Sequence, residues 1–183
     1  MQFESIEVNS KNGRSYLVRH AREQDAPNVI ALERKVLNET TFLPIISDEY
    51  KNNLIDERKY LEDARKSNKF GVLVAIIDGD LAGVAKIMPK SENFKESHIA
   101  KIEVMVQRKY EGQGIGKTLT DNLVNLATNT GFEIIYAYSN DKNKKAVTML
   151  TRLDFKIACS VPKAFKEPDG SYDNELILVK VAK

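Results

Sequence analysis

Gly112-Gln113-Gly114-Ile115-Gly116-Lys117-Thr118 carries the strongest chemical signal in the chain. It stands between an apolar run, Ile102 to Val106, and a segment that puts Leu119, Leu123, Leu126 and Ala127 on one helical face. A glycine-rich turn from strand to helix lets the backbone come close to a ligand. Successive N–H groups at a helix N-terminus then form a concave donor array that favours negative charge. The chemistry implied is phosphate binding, and Lys117 and Thr118 can add a charge and a hydroxyl.

Two common phosphate loops do not fit. A nucleotide-hydrolase loop, G-x-x-x-x-G-K-[ST], ends correctly in Gly116-Lys117-Thr118, but its first glycine falls on Glu111. A carboxylate there would face the phosphates and lacks the freedom the turn needs. The dinucleotide pattern G-x-G-x-x-G would need glycine at Lys117 or at Leu119. It should also open a domain, whereas this loop lies past the middle of the chain.

The elements that must position the loop follow from local pattern. Arg14 to Glu23 favours a strand, and Asp25 and Pro27 precede a helix bearing Val29, Leu32 and Val36, with Asp25 expected to cap its N–H groups. Ser47, Tyr50, Leu54 and Leu61 suggest a capped amphipathic helix whose charged run is its solvated face. Phe70 to Lys90 reads as a hairpin about Asp78-Gly79-Asp80. A strand at His98 to Gln107 leads into the loop, and Gly131 marks the end of the helix that follows. A strand at Glu133 to Ser139, a short helix at Asn143 to Leu153, and two strands joined near Pro168, Asp169 and Gly170 complete the order. The sequence predicts a mixed α/β fold in one domain over residues 1–183, with a core at about 14–182.

Composition narrows the function classes. The chain has 183 residues, 42% apolar and 30% charged, with a net charge of +2, so it makes no case for nucleic acid or membrane partners. The single cysteine, Cys159, cannot form an internal disulfide and is expected to pack in a buried strand, "FKIACSV". The N-terminal residues lack a signal-peptide pattern, which points to the cytoplasm. His20 and His98 have no neighbouring metal-ligand partner, and no metal is expected.

"VMVQRKYEGQGIGKTLTDNLVNLA" resembles the acetyl-coenzyme A signature of the GNAT N-acetyltransferase superfamily, and "NKKAVTMLTRLDF" is similar to a second block of that family through Asn143, Ala146 and Phe155. The element order from Arg14 to Val181 agrees. The resemblance implies a mostly antiparallel sheet of six to seven strands, splayed between the fourth and fifth, with about four flanking helices. Coenzyme A would enter the splay against Val104, Met105 and Val106, with Glu111, Gly112, Gln113, Gly114, Ile115, Gly116, Lys117, Thr118 and Asn143 completing its site. An amine acceptor would come from the opposite side, between loops at Thr40 to Asn53 and Val161 to Asn174.

The resemblance also suggests roles. A protonated amine must lose a proton before it attacks, and Glu103, a carboxylate inside "AKIEVMV", stands where related enzymes often place an acid. Partial burial there would raise its pKa. The tyrosine that related enzymes use to protonate the departing thiolate is Leu150 here, and the glycine before Phe155 is Asp154. Tyr136, Tyr138 or Tyr110 could substitute. The acids Asp169, Asp173 and Glu175 would lie near the acceptor entrance. Two functions compete: acetyl transfer to a primary amine of a small molecule or peptide, and a non-catalytic acyl-coenzyme A binding module. The terminal strands leave room for two copies to pair as a homodimer.

Overall fold

Asp78 and Gly79 both have positive φ, +50° and +80°, the geometry a tight hairpin turn demands. They join β3 (Gly71–Ile77) to β4 (Asp80–Pro89) at the centre of the sheet. This computed structural model describes residues 1–10 and 12–182, so Lys11 and Lys183 lie outside the described residues. The remaining strands are β1 (Ile6–Asn9), β2 (Ser15–His20), β5 (Ile99–Val106), β6 (Ile134–Asn140), β7 (Lys156–Lys166) and β8 (Tyr172–Val181). They lie in the order β1-β2-β3-β4-β5-β6-β8-β7, and every neighbouring pair is antiparallel except β5 with β6. The sheet is mixed and mostly antiparallel, as predicted. Its eighth strand is the short N-terminal β1, which pairs with β2 from Ile6 opposite Val18 to Asn9 opposite Ser15.

Helices α1 (Ala26–Glu39) and α2 (Leu54–Lys66) cover one face, and α3 (Ile115–Asn129) and α4 (Lys144–Arg152) cover the other. Alternation in β3 feeds both layers: Val72 and Val74 meet Leu32, Val36 and Leu61, while Leu73, Ala75 and Ile77 meet the core that holds Leu119, Leu123 and Phe155. The closest approach is at Gly83. A Cβ there would lie 3.0 Å from Leu119 and 3.1 Å from the Met105 carbonyl, so a side chain would lift the first turns of α3 off β4.

Three local expectations are corrected. Asp25 does not cap α1: Arg19 donates to both of its carboxylate oxygens at 2.6 and 2.9 Å, and the Arg22 N–H donates at 2.7 Å. Helix α2 starts at Leu54 rather than near Ser47, because the Asn53 side chain accepts the N–H groups of Ile55 and Asp56, each at 3.0 Å. Ser47 opens only a short 3-10 turn. Cys159 is exposed, and so is most of β7, since this outermost strand pairs only with β8 and neither helical layer reaches it.

The Asp25 cluster carries a pH dependence. Burial pushes its carboxyl up, but the hydrogen bonds from Arg19 and Arg22 outweigh that and hold it below its ordinary value. A value depressed in the folded state gives stability that is present above the ordinary pKa and lost as pH falls through the folded one. Unfolding free energy should therefore decline below about pH 4, and Asp25→Asn should flatten that decline. Denaturant titrations across an acid pH series measure both.

Candidate active site

β5 and β6 pair only from Ile99 opposite Ile134 to Ile102 opposite Ala137. Beyond that point β5 stays on β4, with Glu103 opposite Lys86 and Val106 opposite Gly83. β6 stays on β8, with Tyr138 opposite Ile177 and Asn140 opposite Glu175. The sheet therefore opens between Glu103–Val106 and Tyr138–Asn140, the fourth and fifth of the strands predicted from sequence. Each side of the opening presents strand backbone without a sheet partner across it, so an extended amide chain could add there as a strand does.

Side chains at the opening alternate. Val104 and Val106 pack toward α3 and α4, whereas Met105 packs with the α1–α2 layer. Glu103 shares the Met105 face and is exposed, rather than partly buried as expected. Tyr138 stands across the opening and is 42% exposed; its ring centroid lies 6.3 Å from that of Tyr136. Burial pushes the Tyr138 hydroxyl above its ordinary value against the opposing pull of Lys90, so it keeps its proton at neutral pH. Lys90 also sits over the Tyr136 ring at 5.6 Å.

The glycine loop lies at the wide end. Gly112 and Gly114 are left-handed, at φ +77° and +95°, and Gly114 is the N-cap of α3. The first bond into the helix runs from the Thr118 N–H to the Gly114 carbonyl at 3.0 Å. That leaves the N–H groups of Ile115, Gly116 and Lys117 pointing out of the helix start without backbone acceptors. Gly116 keeps the backbone close to α4, where a Cβ would meet Met149 at 3.4 Å and Val106 at 3.7 Å. The Gln113 side-chain oxygen is buried without a hydrogen-bond partner. Open N–H groups, unpaired strand backbone and an unpartnered amide oxygen suit a ligand with phosphates at one end and amides along its length, which is the pattern of coenzyme A.

The loop is fastened by Gln107, which the sequence did not single out, and by Tyr110, which it offered as a proton donor. Gln107 is buried, donates to the Leu81 carbonyl at 2.7 Å and accepts from Lys35 at 2.8 Å. Tyr110 donates to Asp80 at 3.0 Å, so its hydroxyl anchors the loop to the β3–β4 turn. A polar residue at the end of an apolar strand was the only available signal for Gln107. Thr118 shares a hydrogen bond of 2.8 Å with Tyr16, Lys117 pairs with Asp121 at 2.6 Å, and Glu111 pairs with Lys145 of α4 at 2.6 Å. Asn143 caps α4 by accepting the Ala146 N–H at 3.2 Å. Ile115 is buried in the α3 core.

A cavity of about 550 Å³ is lined by Leu37, Phe42, Ile46, Asp48, Arg108 and Pro168, among others. It brings residues 40–42 and 46–48 next to Pro168, one residue of the 161–174 segment. Asp173 is not a free acid at the expected acceptor entrance: it is buried, accepts from Asn140 at 2.9 Å and pairs with Lys142. His20 lies half-buried in an edge contact with Phe3, and neither ring nitrogen has a hydrogen-bond partner. Among the described residues no group of three or more His, Cys, Asp or Glu could hold a metal ion. No described helix is long and apolar enough to cross a membrane.

Residues 39–155 match the model of the acetyltransferase (GNAT) family. The chain belongs to that family. Among solved structures, it is similar to an acetyltransferase of the GNAT family from Streptococcus pneumoniae, at 21% identity over 91% of this chain and 99% of that one, with a TM-score of 0.87. A ribosomal-protein-alanine N-acetyltransferase from Brucella melitensis is 23% identical over 90% and 99% of the two chains, with a TM-score of 0.80. The yncA protein of Salmonella typhimurium, solved with its cofactor acetyl-CoA, is 16% identical over 91% and 93%, with a TM-score of 0.81. At these identities the likeness bears on fold alone. No curated protein matches the chain at a significant level. Transfer of an acetyl group from acetyl-CoA to an amine is the chemistry of the GNAT family, and the opened sheet and glycine loop of this chain are arranged to suit it.

Two departures from the family pattern now have a structural setting. Leu150 is buried, so it supplies packing where a tyrosine hydroxyl was expected. Asp154 has φ +66°, a left-handed conformation that glycine adopts freely and aspartate tolerates at some cost. Asp154→Gly is expected to stabilise the protein by up to about 1 kcal/mol, read from the denaturation midpoint.

Proposed function

We propose that the chain is one catalytic domain that transfers the acetyl group of acetyl-CoA to a primary amine, on a small molecule or a peptide, by direct attack within a ternary complex. The observation that carries this reading is the opening of the sheet beyond Ile102 and Ala137, with the left-handed glycine loop at its wide end. Acetyl-CoA supplies the activated acyl group. The free N–H groups of Ile115 to Lys117 would hold its phosphates, with Glu111, Gly112, Gln113, Gly114 and Asn143 around them. The backbone at Val104, Met105 and Val106 would align its amide arm.

Glu103, exposed on the acceptor face, would take the amine's proton directly or through water. Tyr138, across the opening and protonated at neutral pH, would offer a proton to the departing thiolate, with Tyr136 behind it. Tyr110 is less suited to that task because its hydroxyl is held by Asp80. The acceptor would approach through the cavity between residues 40–53 and 161–174. The same reading places the protein in the cytoplasm. The exposed apolar residues Ile157, Tyr172 and Val181 on β7 and β8 support association of two copies.

Thiol release from acetyl-CoA against a panel of amines tests this. Glu103→Gln is expected to lower turnover about a hundredfold while leaving acetyl-CoA affinity unchanged. Buried Leu150 favours the competing reading, a non-catalytic acyl-CoA binding module. Tight acetyl-CoA binding without thiol release on any amine would decide for the module.

A further inference from the structure

Among the described residues, one ion pair joins the two walls of the opening. Glu111 ends the turn that precedes Gly112, on the β5–α3 side, and its carboxylate meets the Lys145 ammonium at 2.6 Å. Lys145 lies in the first turn of α4, on the β6 side. Neither residue is well placed for its own element. A carboxylate beside a phosphate-binding loop repels the ligand, and a cation in a first helical turn faces the positive end of the helix dipole.

Neighbouring cations are held within their own walls. Lys109 pairs with Asp80, Lys117 pairs with Asp121, and Lys144 donates to the Asp141 carbonyl at 2.8 Å. Lys145 alone among these has a partner that belongs to the loop on the opposite wall. The pair is also open to solvent, with side-chain exposure of 85% for Lys145 and 38% for Glu111, so it is weak enough to be exchanged.

We propose that Lys145 is the cation that receives the phosphates of coenzyme A, and that Glu111 is its partner only until the cofactor arrives. The assignment rests on the acetyl-CoA reading above. On binding, the ammonium leaves one carboxylate for a group of higher charge and forms charge-assisted hydrogen bonds with it. Lys145 thus restores the favourable charge that Glu111 removes from the loop.

Calorimetric binding of coenzyme A and of S-acetylpantetheine, which lacks the phosphates, tests the exchange. Lys145→Ala is expected to weaken coenzyme A about tenfold and leave S-acetylpantetheine unchanged, while Lys145→Arg keeps most of the affinity. Glu111→Gln is expected to tighten coenzyme A by a few-fold, because no ion pair has to be broken first. The loss from Lys145→Ala should then be larger in the Glu111→Gln background than in the native one. Unchanged coenzyme A affinity in Lys145→Ala overturns the proposal. Equal losses for both ligands overturn it too, since they mark a structural role. If the native protein bound no coenzyme A, the acetyl-CoA reading itself would fall, an outcome distinct from a failure confined to the variants.

Discussion

Lys86→Met is expected to destabilise the protein by about 3–5 kcal/mol at neutral pH, the cost of removing one partner from a buried ionic group. The Lys86 ammonium lies 2.6 Å from Glu33 and 4.0 Å from Glu57, two carboxylates on α1 and α2 that are each only 3% exposed. Tyr50 donates to Glu33 at 2.6 Å, and the Tyr60 ring centroid lies 5.4 Å from the ammonium. Burial pulls the Lys86 pKa down, but Glu33 and then Glu57 outweigh it, so the lysine stays charged. Burial pushes the Glu57 carboxyl up, opposed by Lys86. Methionine would fill the space and leave two carboxylates without a cation. The Glu57 value, already raised by burial, would then rise further above the ordinary one, and a group raised in that way favours the fold at low pH and loses that contribution as pH rises. The deficit should therefore shrink as pH falls toward about 4, measured by urea titration of both proteins.

Phe155→Ala should be equally damaging, at about 3–5 kcal/mol, for an unrelated reason. Phe155 has no exposed surface and belongs to the core that joins α3 and α4 to β6 and β8. Its backbone N–H bonds to the Leu150 carbonyl at 3.1 Å, so the ring is set by the end of α4. Lys180 lies 6.0 Å from the ring centroid while donating to the Leu153 carbonyl at 2.7 Å. Alanine would leave a cavity beneath the helix that carries Asn143 and Lys145. Equilibrium unfolding measures the loss, and no pH dependence like that of Lys86→Met is expected.

Features legible in the sequence were those with local causes. Asp78-Gly79 dictates its hairpin, Gly114 dictates the start of α3, and the apolar faces of α1 and α3 are written in their spacing. Burial was less legible because it depends on what lies across the fold. "FKIACSV" has the letters of a core strand, yet no layer covers β7 and Cys159 is exposed. Glu57 has the letters of a solvated face, yet it is buried, with Lys86 on β4 and Asn52 as its partners. β1 escaped notice because four residues of mixed type give too little alternation to read. The opening of the sheet is a further case. Its position came from a family resemblance, and its physical basis, the end of β5–β6 pairing at Ile102 and Ala137, exists only in three dimensions.

β7 also governs how the molecule behaves in a crowd. A sheet edge is a template onto which another chain can polymerise, and this sheet has two. One is β1, only four residues long. The other is β7, where Pro162 lacks an N–H, Lys163 turns left-handed at φ +55°, and the register slips between Val161 and Phe165. A second slip falls between Ile157 and Cys159, so Cys159–Val161 is the longest regular stretch left to accept a neighbour. If two copies join antiparallel along that stretch, each occupies the other's β7 template, and the only edge left on each copy among the described residues is the four-residue β1, a poor template for growth into a fibre.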